Sequence, residues 1–399
     1  MFETLETLKP DPILGLIGAY REDPRPQKVD LGAGVYRDEM GETSVLTAVK
    51  AAEKLLLETQ TTKTYTGSEG EAGFNTLMQA HMFGADHPAV KDDRVWTIQT
   101  PGGSGALCVA ASLLLRAKKS HRVWVSDPTW ANHIPLLGSA GLELKTYPYY
   151  DKTSRSIRFN AMLDALNVIP RGDTVLLHAS CHNPTGADLT SEQWQQVADV
   201  LERRQLLPFL DMAYQGFAGT VEQDVVVLRA FAERFEELIL ASSCSKNFGL
   251  YRDRVGALSV VARSAAESAA SWSQAVNIVR RNYSVPPNHG AAVVATILDD
   301  PALRTQWIAE LDAMRARLSH NRRALAEALA AGPAQRDFSH LTRGFGMFSL
   351  LGLEQEEVAR IRSEYGVYMV GSSRINIAGV SEANLPYLAD AIAAVCEPA

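Results

Sequence analysis

The chain has 399 residues and carries 46 acidic against 39 basic side chains, a formal net charge of −7. That length leads to an expectation of two to three domains at roughly 150 residues each, with a core large enough to fold without disulfides or a structural metal. With 46% hydrophobic and 21% charged residues the composition excludes a disordered chain, and the acidic balance argues against nucleic acid or an anionic membrane as partner because no excess positive field attracts phosphates.

The N-terminus has no basic stretch followed by an apolar one, so no secretory signal is read. Cys108, Cys181, Cys244 and Cys396 are widely scattered and form no CxxC pair, which reads as reduced thiols and a cytoplasmic location. The longest apolar candidate, 102–115, contains Ser104 and Ser112 and stops at Arg116, too short for a transmembrane helix. Pro10, Pro12, Pro24 and Pro26 punctuate the first thirty residues, and since proline fixes φ and removes a donor, 1–30 is read as an extended arm with one short helix.

A helix is predicted over 45–59, followed by a Thr- and Gly-rich turn region at 61–73. Gly102-Gly103-Ser104-Gly105 opens an apolar helix over 106–118. Short apolar runs at 123–125, 174–177, 207–210, 238–240 and 257–261 alternate with helical segments such as 191–204 and 225–235. Buried strands alternating with helices imply a mainly parallel sheet with helices on both faces. A long charged amphipathic helix is predicted over 301–331, with Leu303, Trp307, Leu311 and Met314 on one stripe. Beyond it, strands near 347–350 and 374–377 and helices at 354–365 and 382–395 read as a smaller α+β domain.

In open parallel sheets ligands bind at the carboxyl ends of the strands, and the reactive residues fall there. Asp211 ends 207–210, His182-Asn183-Pro184-Thr185-Gly186 follows 174–177, Ser243-Cys244-Ser245-Lys246 follows 238–242, and Asp127-Pro128-Thr129-Trp130 follows 123–125. Lys246 is either a surface lysine or a desolvated amine suited to Schiff-base chemistry. A Ser-x-x-Lys acyl-transferase, with Ser243 as nucleophile, is the rival reading, but its companion motifs fit poorly here. The Gly102–Gly105 turn is a phosphate cradle or a plain helix cap. His178 and His182 lie on a strand and its following loop rather than on one helix face, so no metal site is read. Arg374, inside an apolar strand, needs a partner, either a structural carboxylate or a bound one. Arg280 and Arg281 close a long helix, where the dipole favours cations.

Together these segments resemble the class I, fold-type I pyridoxal-phosphate aminotransferases of the aspartate/aromatic branch, most of all the bacterial aromatic-amino-acid/tyrosine type. The resemblance runs along essentially the whole chain, through Val29-Asp30-Leu31-Gly32-Ala33-Gly34-Val35-Tyr36, Pro101 to Leu107, Trp124 to Trp130, Cys181 to Gly186, Asp211 to Phe217, Ser242 to Tyr251 and Arg374 to Gly379. It implies an α/β fold: a large domain with a mainly parallel seven-stranded sheet covered by helices (45–309), a smaller α+β domain (31–44 with 310–399) and the N-terminal arm. Lys246 would hold the cofactor aldehyde as a Schiff base and then act as the base of the proton shift. Asp211 would pair with the pyridine nitrogen, Asn183 and Tyr214 would bond the phenolic oxygen, and Trp130 would stack on the ring. Gly103, Ser104, Ser243, Ser245 and Arg254 would bind the phosphate, with Tyr65 reaching it from the neighbouring subunit. Arg374 would clamp the substrate carboxylate near Gly34, and Arg280 of the partner subunit would take the distal carboxylate of a dicarboxylic substrate. Amino acids and 2-oxo acids are the expected substrates, and a homodimer with shared active sites is implied.

The resemblance also bears on specificity. Ser104, where aspartate enzymes usually carry threonine, and Val285, where a polar residue is usual and whose apolar wall would loosen the tether of Arg280, lean towards transamination of tyrosine and phenylalanine alongside aspartate and glutamate, with 2-oxoglutarate as acceptor. Val35, Arg37 and Thr43 lean towards the alternative, a mainly aspartate enzyme, Arg37 by adding positive charge near the entrance. An apolar wall favours an aromatic ring by about 1–3 kcal/mol. A transcription regulator built on the same fold would need an N-terminal DNA-binding domain, and a degenerate binding protein would be expected to lose Lys246 or Asp211.

Overall fold

Seven strands make the central sheet of the computed structural model, which describes residues 1–8, 12–117, 122–333 and 336–396. In chain order they are β1 (Val95–Pro101), β2 (Arg122–Asp127), β3 (Glu143–Pro148), β4 (Thr174–His178), β5 (Leu207–Met212), β6 (Leu238–Ser243) and β7 (Val255–Val261). Across the sheet they lie in the order β1-β7-β6-β5-β4-β2-β3. Strands from β6 through β3 pair in parallel, while β7 runs antiparallel to both of its neighbours. This is the mainly parallel α/β sheet expected from the apolar runs.

Every residue of β6 and β7 is buried, because helices cover both faces and a strand covered twice needs no polar side. Side chains alternate across the pleat and feed two separate cores. Leu176, Phe209, Ile239 and Leu258 enter one core, whereas Val175, Leu177, Leu210 and Leu240 enter the other. On the first face α1 (Gly102–Ala117) packs over β6, β7 and β1, and α3 (Ala265–Asn282) packs on α1. Helix α2 (Ser191–Arg204) begins with a capping box in which Thr190 and Gln193 satisfy each other's backbone N–H.

Two strands are invisible to an apolar-run search. Strand β1 carries Thr97, Gln99 and Thr100, yet all of it except its last residue is buried. Its polar groups are paid in tertiary hydrogen bonds: Gln99 accepts from the Glu71 N–H at 2.9 Å and donates to the Pro287 carbonyl at 2.7 Å. Strand β3 is an edge strand, mostly solvent-facing and closed by Pro148, so its pattern is polar. A boundary also differs: α1 starts at Gly102, so the glycines form its first turn instead of preceding it. Pro10 and Lys118, read as part of the arm and as a helix end, lie outside the described residues.

The long helix α4 (Pro301–Ala331) has the expected bounds. Asp300 caps it, accepting from the Ala302 and Leu303 N–H groups at 2.7 and 3.0 Å, and Pro301 occupies the first position, where no donor is lost. Its buried stripe includes Trp307, whose ring stacks on Phe248 at 4.3 Å and whose Nε1 donates to the Asn247 carbonyl at 2.7 Å. The helix thereby anchors the segment directly after Lys246. Beyond α4, Phe348–Leu350 pairs antiparallel with Arg374–Asn376, and Val29–Asp30 pairs in parallel with Val367–Tyr368. The start of the chain carries a short helix, Pro12–Glu22. No helix among the described residues is long and apolar enough to cross a membrane.

Candidate active site

Strand register gathers the reactive residues. His178 on β4 lies opposite Asp211 on β5, and Met212 lies opposite Ser242 on β6, so three strand ends open at one edge of the sheet. A cavity of about 240 Å³ sits at this edge, bounded by Lys246, Asp211, Tyr214, Asn183 and Trp130. Gly103, Ser104, Ser243, Ser245 and Arg254 line it as a second group, and Gly34 and Arg374 as a third. Two residues expected from the sequence are not brought in by this chain. Tyr65 is 91% exposed. Arg280 is exposed at the end of α3, where its Nη1 donates to Ser284 Oγ. The tether that Val285 was expected to loosen is therefore made by Ser284.

Lys246 is half-buried, and its Nζ lies 5.0 Å from the centre of the Tyr214 ring. Burial lowers the amine to about 8, a shift that Arg254 and Arg374 reinforce and Asp211 partly opposes. An amine so placed is neutral above about pH 8, where an exposed lysine would still be charged. In the cofactor-free protein, reductive methylation with a ¹³C label followed by NMR titration is expected to find one lysine with a midpoint near 8. A Lys246 resonance that titrates with the surface lysines would show the amine to be solvated.

Asp211 is the counterweight. Burial alone would raise its pKa, but the hydrogen bond from His133 and the charge of Lys246 prevail and hold the carboxyl below its ordinary value. The bond runs from His133 Nε2 to Asp211 Oδ2 at 2.9 Å. Its direction can be traced through a chain of neighbours. The Asn183 N–H donates to His178 Nδ1 at 3.4 Å, leaving the His178 proton on Nε2 to donate to Thr129 Oγ1 at 3.2 Å. The Thr129 hydroxyl then donates to His133 Nδ1 at 2.8 Å, which puts the His133 proton on Nε2, facing Asp211. Burial keeps His178 neutral, with a pKa near 3, in agreement with this pattern.

His133 and Thr129 belong to this site by their hydrogen bonds, and neither stood out in the sequence as a site residue. Thr129 lies inside the Asp127-Pro128-Thr129-Trp130 segment and His133 stands four residues on, but nothing local signals that this turn folds under Asp211. The pair it did single out, His178 and His182, is occupied in hydrogen bonds and stacking: His182 lies 4.0 Å from the Tyr149 ring and bonds Ser126 and Thr185, each at 2.9 Å. Replacing His133 by alanine leaves a buried carboxylate one donor short, a cost of about 1–3 kcal/mol. H133A is expected to lose about tenfold in kcat, with partial recovery in H133Q, whose amide can donate in its place; steady-state kinetics of both variants check this.

The second group forms an anion cradle. The first turn of α1, whose N–H groups lack partners within the helix, lines the site through Gly103 and Ser104, and Gly103 packs so closely that an added Cβ would lie 3.3 Å from Ser243 Cβ. Arg254 contributes a guanidinium whose bonds to Ser245 and the Pro101 carbonyl are long, 3.4 and 3.5 Å, and which has no acidic partner among the described residues. In the third group, Arg374 is only 5% exposed, lies 4.3 Å from the Phe348 ring centre and donates to the Gly32 carbonyl at 3.0 Å. Its Nε finds no partner, and no carboxylate among the described residues pairs with it. Of the two readings open for Arg374, a structural ion pair is absent. Asp30 shapes the opposing backbone by accepting from the Gly32 and Ala33 N–H groups at 2.9 and 3.2 Å.

An amine of lowered pKa, an ionised buried carboxylate, a group of anion-suited donors and an arginine with no acidic partner among the described residues suit a phosphorylated, cationic-ring cofactor and a carboxylate substrate. Comparison with known proteins agrees. Residues 26–392 match the family "Aminotransferase class I and II". The chain is 49% identical over 395 residues to an aspartate aminotransferase of Escherichia coli, covering 99% of this chain and 100% of the relative. It is 47% identical over 386 residues to an aromatic-amino-acid aminotransferase of Pseudomonas aeruginosa, covering 97% and 96%. Among solved structures it is similar to an aromatic-amino-acid aminotransferase of Burkholderia pseudomallei covalently bound to pyridoxal phosphate, with a TM-score of 0.97, 44% identity and full coverage of both chains.

Proposed function

Because this chain belongs to the class I and II aminotransferases, we propose that its cavity transfers the amino group of tyrosine, phenylalanine, aspartate or glutamate, with 2-oxoglutarate as acceptor. The enzyme is a pyridoxal-phosphate-dependent aminotransferase acting on amino acids and 2-oxo acids. The observation that carries the site assignment is the desolvated Lys246 amine set beside an ionised, buried Asp211 in one cavity. When bound, the cofactor supplies an aldehyde that takes up an amino group and an electron-withdrawing ring that stabilises negative charge at the substrate α carbon.

The residues would divide the remaining work. Gly103, Ser104, Ser243, Ser245 and Arg254 would hold the phosphate, and Trp130 would cover one ring face. Asp211, oriented by His133, would keep a proton on the ring nitrogen. Asn183 and the Tyr214 phenol, whose pKa burial raises so that it stays a donor, would bond the phenolic oxygen. Lys246 Nζ would take a proton from the substrate and return it, as a base does best when its pKa lies near the working pH. Arg374 would fix the substrate carboxylate against the backbone of Gly34, excluding water and setting the orientation.

The exposure of Tyr65 and Arg280 supports a homodimer in which each would complete the partner's cavity, and the exposed Phe2, Leu5 and Leu8 would lie against that partner. Residues 31–44 with 310–399 would form the smaller domain and 45–309 the larger. Free thiols at all four cysteines are in keeping with a cytoplasmic location.

For specificity, the structure weakens one argument for a mainly aspartate enzyme. Arg37 is spent in an ion pair with the buried Asp30, so its charge is not offered to a dicarboxylate. Half-reaction titration tests the reading: the holoenzyme is mixed with tyrosine, phenylalanine or aspartate and the loss of the cofactor absorbance band is followed. Comparable efficiency with all three is expected. Response to aspartate alone would make it an aspartate aminotransferase and remove the weight placed on Val285 and Ser104.

A further inference from the structure

Arg322 stands on α4, is 2% exposed and does not border the catalytic cavity. Burial pulls its pKa down to about 10, partly opposed by Cys181 and Asp188, so it is a cation at neutral pH. All of its hydrogen bonds among the described residues go to backbone carbonyls. Nη1 donates to Leu341 at 3.2 Å, and Nη2 to Phe345, Gly346 and Phe348 at 2.8, 3.0 and 2.6 Å.

Desolvating a charge is costly, and an apolar side chain would join α4 to this segment without that cost. What a planar fork adds is direction, because it fixes where several acceptors point. The shortest of the four bonds reaches Phe348, the residue through which the segment enters the cavity. The Phe348 ring lies 4.3 Å from the Arg374 guanidinium, meets the Tyr214 ring edge-on at 5.9 Å and faces Gly34, where an added Cβ would lie 3.7 Å from Cζ. Phe348 thus has its main chain on one arginine and its ring against the other.

The same carbonyl is held from a second side. Gly186 has a φ of +67°, and an added Cβ would lie 2.2 Å from the Phe348 oxygen and 3.0 Å from Arg322 Nη2. Its own carbonyl accepts from the Phe345 N–H at 2.7 Å. Arg374, by contrast, is restrained only by the Phe348 ring and by the Gly32 carbonyl at 3.0 Å, so the placement of that ring decides how its fork is aimed. A misplacement of about 1 Å in such a group can cost about 10²-fold.

We propose that Arg322 is a positioning residue for substrate recognition: by fixing the main chain at Phe348 it sets the ring on which Arg374 lies, and so the direction of the guanidinium that receives the substrate carboxylate. Arg322 acts through Phe348 and touches neither substrate nor cofactor. The inference rests on the reading of Arg374 as the partner of that carboxylate.

The test uses holoenzyme and two unreactive probes, 3-phenylpropionate and its neutral amide 3-phenylpropanamide, titrated calorimetrically at constant pH and ionic strength. The ratio of their affinities reports recognition of the carboxylate alone. The unmodified enzyme is expected to prefer the carboxylate by about tenfold or more, as a charge-assisted hydrogen bond does. R322Q is expected to lower that ratio about fivefold or more while leaving the amide's affinity within about twofold. R322K, which keeps the charge but not the fork, is expected to fall between the two. F348L removes the ring, so adding R322Q to it is expected to change the ratio little further.

Far-UV circular dichroism shows whether R322Q is folded; if it is not, R322K carries the measurement, and an unchanged ratio there overturns the proposal. An unchanged ratio in folded R322Q, an equal loss for both probes, or losses in R322Q and F348L that simply add would each overturn it as well. Equal binding of the two probes by the unmodified enzyme would instead overturn the reading of Arg374, and this inference with it. The unmodified enzyme therefore tests that reading, and the variants test the role of Arg322.

Discussion

Replacing Lys246 by alanine is expected to lower transamination by about 10⁴-fold, the upper range for loss of a positioned acid–base group. The loss combines two roles in one atom. On the proposed reading Nζ would carry the cofactor, and among the described residues it is the only lysine amine in the cavity able to move the substrate proton. The fold is expected to survive, because the anchor of this segment is Trp307, through Phe248 and the Asn247 carbonyl, not the lysine side chain. Steady-state turnover together with far-UV circular dichroism checks both parts. Near-normal turnover in a folded variant would refute the mechanism.

The second large effect is expected at Asp211. Truncation to alanine removes the only acidic side chain lining the cavity among the described residues and leaves the His133 N–H without an acceptor. Breaking a buried charged pair by removing one partner costs about 3–5 kcal/mol, which corresponds to roughly 10²–10⁴-fold in rate if the cost falls on the transition state. D211E, which keeps the charge but moves it by a methylene, is expected to recover part of the activity, whereas D211N is expected to recover little. The ordering D211E above D211N identifies charge rather than hydrogen-bond capacity as the contribution of Asp211; the reverse ordering would overturn that role. H133A should then matter less in a D211A background than alone, since the two act through the same contact.

Much of this molecule was legible before folding. The apolar runs at 174–177, 207–210 and 238–240 announced buried parallel strands, because a strand covered on both faces has no polar side to display. The bounds of α4 were equally plain from Asp300, Pro301 and the Leu303-Trp307-Leu311 spacing, since cap, first-turn proline and stripe are all local signals. Strand β1 was not, because Gln99 is polar in sequence and becomes compatible with burial only once Glu71 and Pro287 are brought beside it.

The chemistry divides along the same line. By itself the sequence determined the fold class and the strand-end positions of Lys246, Asp211 and Asn183, because residue type, order and spacing along the chain are covalent properties; the cofactor followed only from the resemblance to a known family. Only the tertiary structure decided that Arg374 lacks an acidic partner among the described residues, that Arg37 is consumed by Asp30, and that His133, Thr129 and His178 form a directed chain beneath Asp211. Those outcomes depend on which distant groups share a few ångströms of low-dielectric space. Burial and partners set a charge's availability and a proton's position, and neither is written in any local stretch of chain.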